Sequence, residues 1–182
     1  PSEGEVIVNT RSIGFMFQKD QLYEWRNVYK NCLLGLEVKN MDNEENKIKV
    51  KRMLEKYGLT NFKKHYPSQL SGGMRQRAAL VRTLAIEPDL LLLDEPFSAL
   101  DYQTRLSIGD EVGTILRNEK ISTILVTHDI PEAVSISDRV IVFTERPAKI
   151  KKEYEIVFDD LSGERTPMKC RNTLTTMLII LI

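Results

Sequence analysis

Asp94 and Glu95 close a run of four leucines, 90–93. A continuous apolar run of that length reads as a strand buried in a parallel sheet. Its end then lies at the carboxyl edge of the sheet, where ligands bind in such folds. A glutamate there can orient and polarise an attacking water. The plainer alternative is that Asp94 caps the next turn and Glu95 is solvated. His128 follows a second apolar run, "TILVT" (123–127), and so points to the same edge. A neutral imidazole there can hydrogen-bond a terminal phosphate, or it can be an ordinary surface histidine. Gln18 ends the run "IGFMF" (13–17). Its amide can cap the following turn, or its carbonyl oxygen can reach a metal ion or the water on one.

A different chemistry is suggested by "LSGGMRQR" (70–77). Ser71 is a suitable N-cap, and the amides of Gly72 and Gly73 in front of a helix form an anion site. Glycines there let a phosphate approach the backbone closely. The same residues also suit a capped helix after a turn at Pro67. His65 has no such context and reads as structural.

These residues need elements to position them. Beyond the runs already named, "EVIV" (5–8), "RVIVF" (139–143) and "YEIVF" (154–158) read as strands. Val50, Met53, Leu54 and Tyr57 form a helical face stopped by Gly58. Leu80, Val81, Leu84 and Ala85 form a second, ended before Pro88, and Ile108, Val112, Ile115 and Leu116 a third. Strands alternating with helices predict an α/β domain with a mostly parallel sheet. The stretch 26–85 interrupts that alternation as a helical block.

The chain has 182 residues, with 26 basic and 26 acidic. That length suffices for a domain with a core. The charge balance argues against a general nucleic-acid binder and a polybasic membrane surface. Cys32 and Cys170 fit no metal spacing and suggest a reducing cytosol. No apolar run is long enough to span a bilayer.

Taken in order, Gln18, "LSGGMRQR", "LLLLDEP" with "SALD" (98–101), and "VTHD" (126–129) resemble the ATPase subunit of ATP-binding cassette (ABC) transporters. They correspond to the family's Q-loop, signature, Walker B, D-loop and H-loop. "FMFQKDQLYEWRNVYKN", "SALDYQTR" and "SDRVIVFTERPAKI" look like the importer branch for nitrate, sulfonate, taurine and similar solutes. The match runs from about Gly4 to about Ile150.

The resemblance implies a P-loop NTPase-like fold: an ABC ATPase domain over 1–158 with a helical subdomain at about 26–85, followed by a tail at 159–182. It implies ATP and Mg²⁺ as ligands. Asp94 would organise Mg²⁺, with Gln18 as a second metal or water contact. Glu95 would be the general base or water positioner, and His128 would hold the γ-phosphate. Ser71, Gly72 and Gly73 would contact the nucleotide of a second, head-to-tail ATPase subunit, and Gln76 its ribose. Asp101 would link the two sites. The segment after Gln18 would meet membrane permease subunits, with Tyr23 and Trp25 as anchors; the alternative is that Trp25 and Tyr29 pack inside the helical block. A solute-binding protein would be an indirect partner. The implied location is peripheral, on the cytoplasmic side of the membrane.

One family motif is absent from the 182 residues. No Gly-x-x-x-x-Gly-Lys-Ser/Thr occurs, and none of the nine glycines precedes a lysine. The family's P-loop comes before the "GEVIVN" stretch, so the expectation is an N-terminally truncated cassette whose β- and γ-phosphate cradle is missing. Sheet edge and core are then expected to be exposed. The apolar end, "TMLIILI", departs from the polar helical tail usual in the family. A frameshift, a contig edge or a short apolar helix packed on the domain would each account for it. The competing functions are an enzyme subunit, an inactive subunit that lends its signature to an intact partner, and a soluble ABC ATPase of DNA maintenance or translation. The third lacks coiled-coil heptads, a basic surplus and a second cassette.

Overall fold

The computed structural model describes residues 4–98, 100, 102–119, 121–145, 148–156 and 177–181. Among the described residues, six strands and five α-helices follow one another. They are β1 (Ile13–Met16), α1 (Val28–Val38), α2 (Glu44–Lys56), α3 (Gly72–Leu84), β2 (Leu90–Asp94), α4 (Tyr102–Glu119), β3 (Ser122–Thr127), α5 (Ile130–Ile136), β4 (Arg139–Phe143), β5 (Ile150–Glu155) and β6 (Met177–Leu181). Two 3₁₀ turns, Thr60–Phe62 and Pro67–Gln69, lie between α2 and α3.

One sheet holds all six strands in the order β1-β2-β3-β6-β4-β5. Every neighbouring pair is parallel except β4 and β5. The apolar end of the chain is therefore neither a helix nor a free tail over 177–181. It is a strand set between β3 and β4, with Thr127 opposite Leu181 and Arg139 opposite Leu178.

The register gives each face of the sheet its own residues. Gly14, Met16, Leu91, Leu93, Thr123, Leu125 and Thr127 share one face and are buried. Helix α3 covers it at β1, where a Cβ on Gly14 would come within 2.8 Å of Thr83 Cγ2. The opposite face carries Ile13 and Phe15, both exposed, and Leu90, Leu92, Ile124 and Val126, none of them buried. The leucine run is thus covered on one side, not on both.

The helices form where the periodicity places them. Asn27, Asn43 and Ser71 each accept a backbone N–H two residues inside their helix, satisfying donors that a helix start leaves open. Gly58, at φ +68°, ends α2 in the left-handed region that favours glycine. Val50, Leu54 and Tyr57 are buried, as are Ile108, Val112, Ile115 and Leu116.

Two strand expectations fail. Residues 5–8 are not a strand; they run as exposed coil, because no neighbouring strand pairs with them. The last strand of the meander is 150–155, not 154–158, and all of its residues are exposed. Pairing with β4, from Arg139 opposite Glu155, fixes it earlier than its apolar letters suggest. Val157 and Phe158 lie outside the described residues, as does Cys170. Cys32 is buried, and burial pushes its thiol up to about 12.

Candidate functional site

Three strand ends build the site. Because β1, β2 and β3 are parallel neighbours, Gln18, Glu95 and His128 emerge at the same edge. Their side chains meet. Gln18 Nε2 donates to Glu95 Oε2 at 2.7 Å, and His128 Nδ1 lies 3.0 Å from Glu95 Oε1. An ionised carboxylate only accepts, so Nδ1 is the donor in this contact, and Nε2 lies on the far side of the ring. His128 is more open than Glu95, which is partly sheltered.

Glu95 stands on strained backbone. Its φ is +43°, a region that non-glycine residues seldom adopt and that collects at functional sites. The conformation is held from both sides. Glu95 N donates to Val126 O, and the Glu95 carbonyl accepts from Ser98 N and Ser98 Oγ. A carboxylate fixed in this way, beside an amide and an imidazole, can polarise and orient a water.

Asp94 ends β2 with an exposed side chain one residue before Glu95. With Gln18 Nε2 committed to Glu95, the amide oxygen Oε1 of Gln18 is the group left for a ligand. A carboxylate and an amide carbonyl are hard oxygen donors. They fit Mg²⁺, which takes one or two protein oxygens and fills its octahedron with phosphate and water. Among the described residues no group of three or more His, Cys, Asp or Glu side chains forms a metal site. The protein's own donors thus suit a phosphate-bound ion rather than a self-sufficient cage.

Ser71, Gly72 and Gly73 are not brought to this cluster. Ser71 Oγ accepts from Met74 N at 3.3 Å and opens α3. Gly72 faces Leu100: a Cβ there would come within 3.0 Å of Leu100 Cδ2. Among the described residues no hydrogen bond joins Ser71–Gly73 to Gln18, Glu95 or His128. Asp101 lies outside the described residues.

Gln76 is not displayed at the surface. It is 4% exposed, and its Oε1 is buried without a partner. It lines an open cavity of ≈ 340 Å³ with Lys19, Asp20, Gln21 and Arg75. Its place was readable: Gln76 lies three and four residues before Ala79 and Leu80, on the buried stripe of α3.

The loop after Gln18 is tied to the same helix. Arg75 Nε donates to Asp20 Oδ2 at 3.0 Å, and Arg82 donates to the carbonyls of Asp20 and Gln21. Two arginines thereby connect the strand end that bears Gln18 with the helix that Ser71 caps. Further along this loop Tyr23 and Trp25 stack at 4.7 Å, and Trp25 is 75% exposed. Tyr29 is the aromatic that packs against the core.

Sequence reasoning missed Arg105, Thr127 and Glu132. They lie beside His128 and are bonded to one another through Asp129. The available signal was the spacing of Asp129 and Glu132, an N-cap followed by an acidic residue three positions on.

Comparison with known proteins supplies a context. The family model described as "ABC transporter" matches residues 3–98. An ABC transporter ATP-binding protein of Bacillus subtilis, YtlC, is 46% identical over 163 residues, covering 86% of this chain and 63% of its own. The taurine import ATP-binding protein TauB of Yersinia pestis is 39% identical over 158 residues, covering 87% of this chain and 61% of its own. The chain thus spans about three-fifths of the length of these relatives. A dimeric post-hydrolysis structure of the ATP-binding cassette MJ0796, bound to ADP and Pi, superposes with a TM-score of 0.64 at 30% identity, over 81% of this chain and 64% of that one. Sequence and fold agree, and the chain belongs to the ABC transporter family, with the α/β fold of its ATPases.

Proposed function

We propose that this chain carries the hydrolytic edge and the signature of an ATP-hydrolysing subunit of an importer for a small solute of the taurine, sulfonate or nitrate type. The convergence of Gln18 and His128 on a strained Glu95 carries the reading. Glu95 orients the water that attacks the γ-phosphate. His128 presents Nε2 to that phosphate; a ring that already gives Nδ1–H to Glu95 donates to a phosphate oxygen only as the imidazolium, and Gln18 holds Glu95 in place. Asp94 and the Gln18 carbonyl would hold Mg²⁺, which when bound neutralises phosphate charge. Residues 1–158, together with strand β6, form the ATPase domain, with 26–85 as its helical part. The exposed Tyr23–Trp25 pair docks a permease helix, at the cytoplasmic face of a membrane. Among the described residues no helix is long and apolar enough to cross one.

The 182 residues hold no Gly-x-x-x-x-Gly-Lys, so the chain alone hydrolyses ATP negligibly. The test is a chimera that joins a P-loop-bearing N-terminal segment of an active ABC ATPase upstream of Gly4. It is expected to hydrolyse Mg-ATP, and Glu95→Gln is expected to abolish turnover. A folded, ATP-binding chimera without turnover, or one that Glu95→Gln leaves active, overturns the reading.

A second reading has its own support. Among the described residues Ser71–Gly73 make no hydrogen bond to the chain's own edge cluster, as a group that serves another subunit would not. In this reading the chain lends its signature to a partner cassette that has a P-loop, and Glu95 is not used.

A further inference from the structure

Glu132 is a carboxyl in an unusual place. It is third in α5, and Asp129 is the N-cap, whose Oδ1 accepts from Glu132 N at 2.9 Å. An acidic residue at that position ordinarily reaches back to the N-cap backbone N–H and stays in solvent. Here a hydroxyl stands in between. Thr127 Oγ1 accepts from Asp129 N at 3.0 Å and donates to Glu132 Oε2 at 2.9 Å. The result is a closed ring: Glu132 to Thr127, Thr127 to Asp129, Asp129 to Glu132. Glu132 is 5% exposed and Thr127 3%, and Glu132 Oε1 is buried without a partner.

Capping α5 does not require this. Asp129 alone satisfies the helix start, and a buried carboxyl with an orphan oxygen costs stability rather than adding it. The ring encloses one residue, His128, whose neighbours on both sides are ring members. The ring is also anchored outside α5. Arg105 Nη1 donates to Asp129 Oδ2 at 2.8 Å, while Arg105 Nη2 donates to Leu100 O, one residue before Asp101. The His128 ring itself is open to solvent, and Glu95 is its one partner among the described residues. Its direction is therefore set by how residues 127 and 129 are held.

We propose that Glu132 is a positioning residue for His128: with Thr127 and Asp129 it forms a hydrogen-bonded ring, anchored by Arg105, that fixes the imidazole on Glu95 and ties it to the loop at Leu100. This rests on the reading of Glu95 and His128 as the hydrolytic pair. Burial pushes the Glu132 carboxyl up to about 7, against the pull of the Thr127 hydrogen bond; Asp129 adds to the rise, and Arg105 and His128 oppose it. Arg117, from the far end of α4, donates to the Ile136 carbonyl, and β6 contains no ionisable residue. In its neutral form Glu132 keeps Oε2 as an acceptor for Thr127, so a glutamine can replace it.

The test reads the tautomer of His128 from its ring ¹⁵N shifts in the 182-residue chain, with His65 as internal reference. No nucleotide is needed, so a chimera that fails to hydrolyse ATP leaves this measurement intact, and the two failures are distinguishable. The wild-type chain is expected to hold the proton on Nδ1. Thr127→Ser and Glu132→Gln are expected to preserve that state. Thr127→Val and Glu132→Leu are expected to lower the Nδ1–H population by about twofold or more, toward the mixture of an unrestrained imidazole. Where Glu132→Leu unfolds, the Thr127 pair decides alone. A wild-type tautomer in folded Thr127→Val overturns the proposal, as does equal loss in Thr127→Ser and Thr127→Val.

Discussion

Two half-sites lie on this chain, and they are built differently. At the sheet edge, Gln18, Glu95 and His128 satisfy one another over contacts of 2.7 and 3.0 Å, and one of them stands on strained backbone. At the start of α3, Ser71 satisfies its own helix, while Gly72 and Gly73 present backbone and no side chain. The first is preorganised for a reacting water. The second suits an anion that arrives from outside. Arg75 and Arg82 tie the loop after Gln18 to the signature helix. The difference teaches that closeness in one chain is not what makes these motifs a site. They are mechanically linked, and among the described residues no hydrogen bond joins Ser71–Gly73 to Gln18, Glu95 or His128.

Breaking the edge cluster gives the largest effect. In the P-loop chimera, Glu95→Gln should lower the single-turnover rate by about 10²–10⁴-fold, the span of a lost general base. Loss confined to ATP affinity would move Glu95 from chemistry to binding.

The next effect is on stability against pH, through the ring behind His128. Burial raises the Glu132 carboxyl from its ordinary 4.5 to about 7, so between these values the folded chain holds a proton that the unfolded chain has released. Stability therefore falls as pH rises from 4.5 through 7 and levels off above it, by at most about 3 kcal/mol. Glu132→Gln should match wild type below pH 4.5 and exceed it at alkaline pH. Urea melts at several pH values check this, and parallel curves for the two proteins would contradict it.

The signature side should be gentler. Ser71→Ala removes one N-cap and should cost about 1 kcal/mol in chemical denaturation, with the rest of α3 intact by circular dichroism. Smallest is the strain at Glu95. Glu95→Gly should leave stability unchanged or raise it by about 0.5–1 kcal/mol while abolishing turnover in the chimera. A clear loss of stability would mean that the Gln18 and His128 contacts stabilise the fold more than the positive φ strains it.

The edge was legible because apolar runs mark strands and the residue after a strand falls at a known end. The meeting of Gln18 and His128 on Glu95 was not, since only strand order brings residues 77 and 33 positions apart into contact. The burial of Gln76 was legible from its spacing to Leu80 but was obscured by its polar type. Residues 5–8 have strand-like letters and no partner, and β6 has a partner on each side that no local pattern announces. Pairing is a tertiary property, and apolar letters alone do not decide it.

The claim that the two half-sites serve different nucleotides is tested most directly by mixing. The 182-residue chain would be added to a related cassette that keeps its P-loop but carries an Asp in place of its own first signature glycine. The measurement is Mg-ATP hydrolysis. The account predicts that turnover appears on mixing, is absent from either protein alone, and is lost when this chain carries Gly72→Asp but kept when it carries Glu95→Gln. Turnover by this chain alone, or a mixture that stays silent, would contradict it.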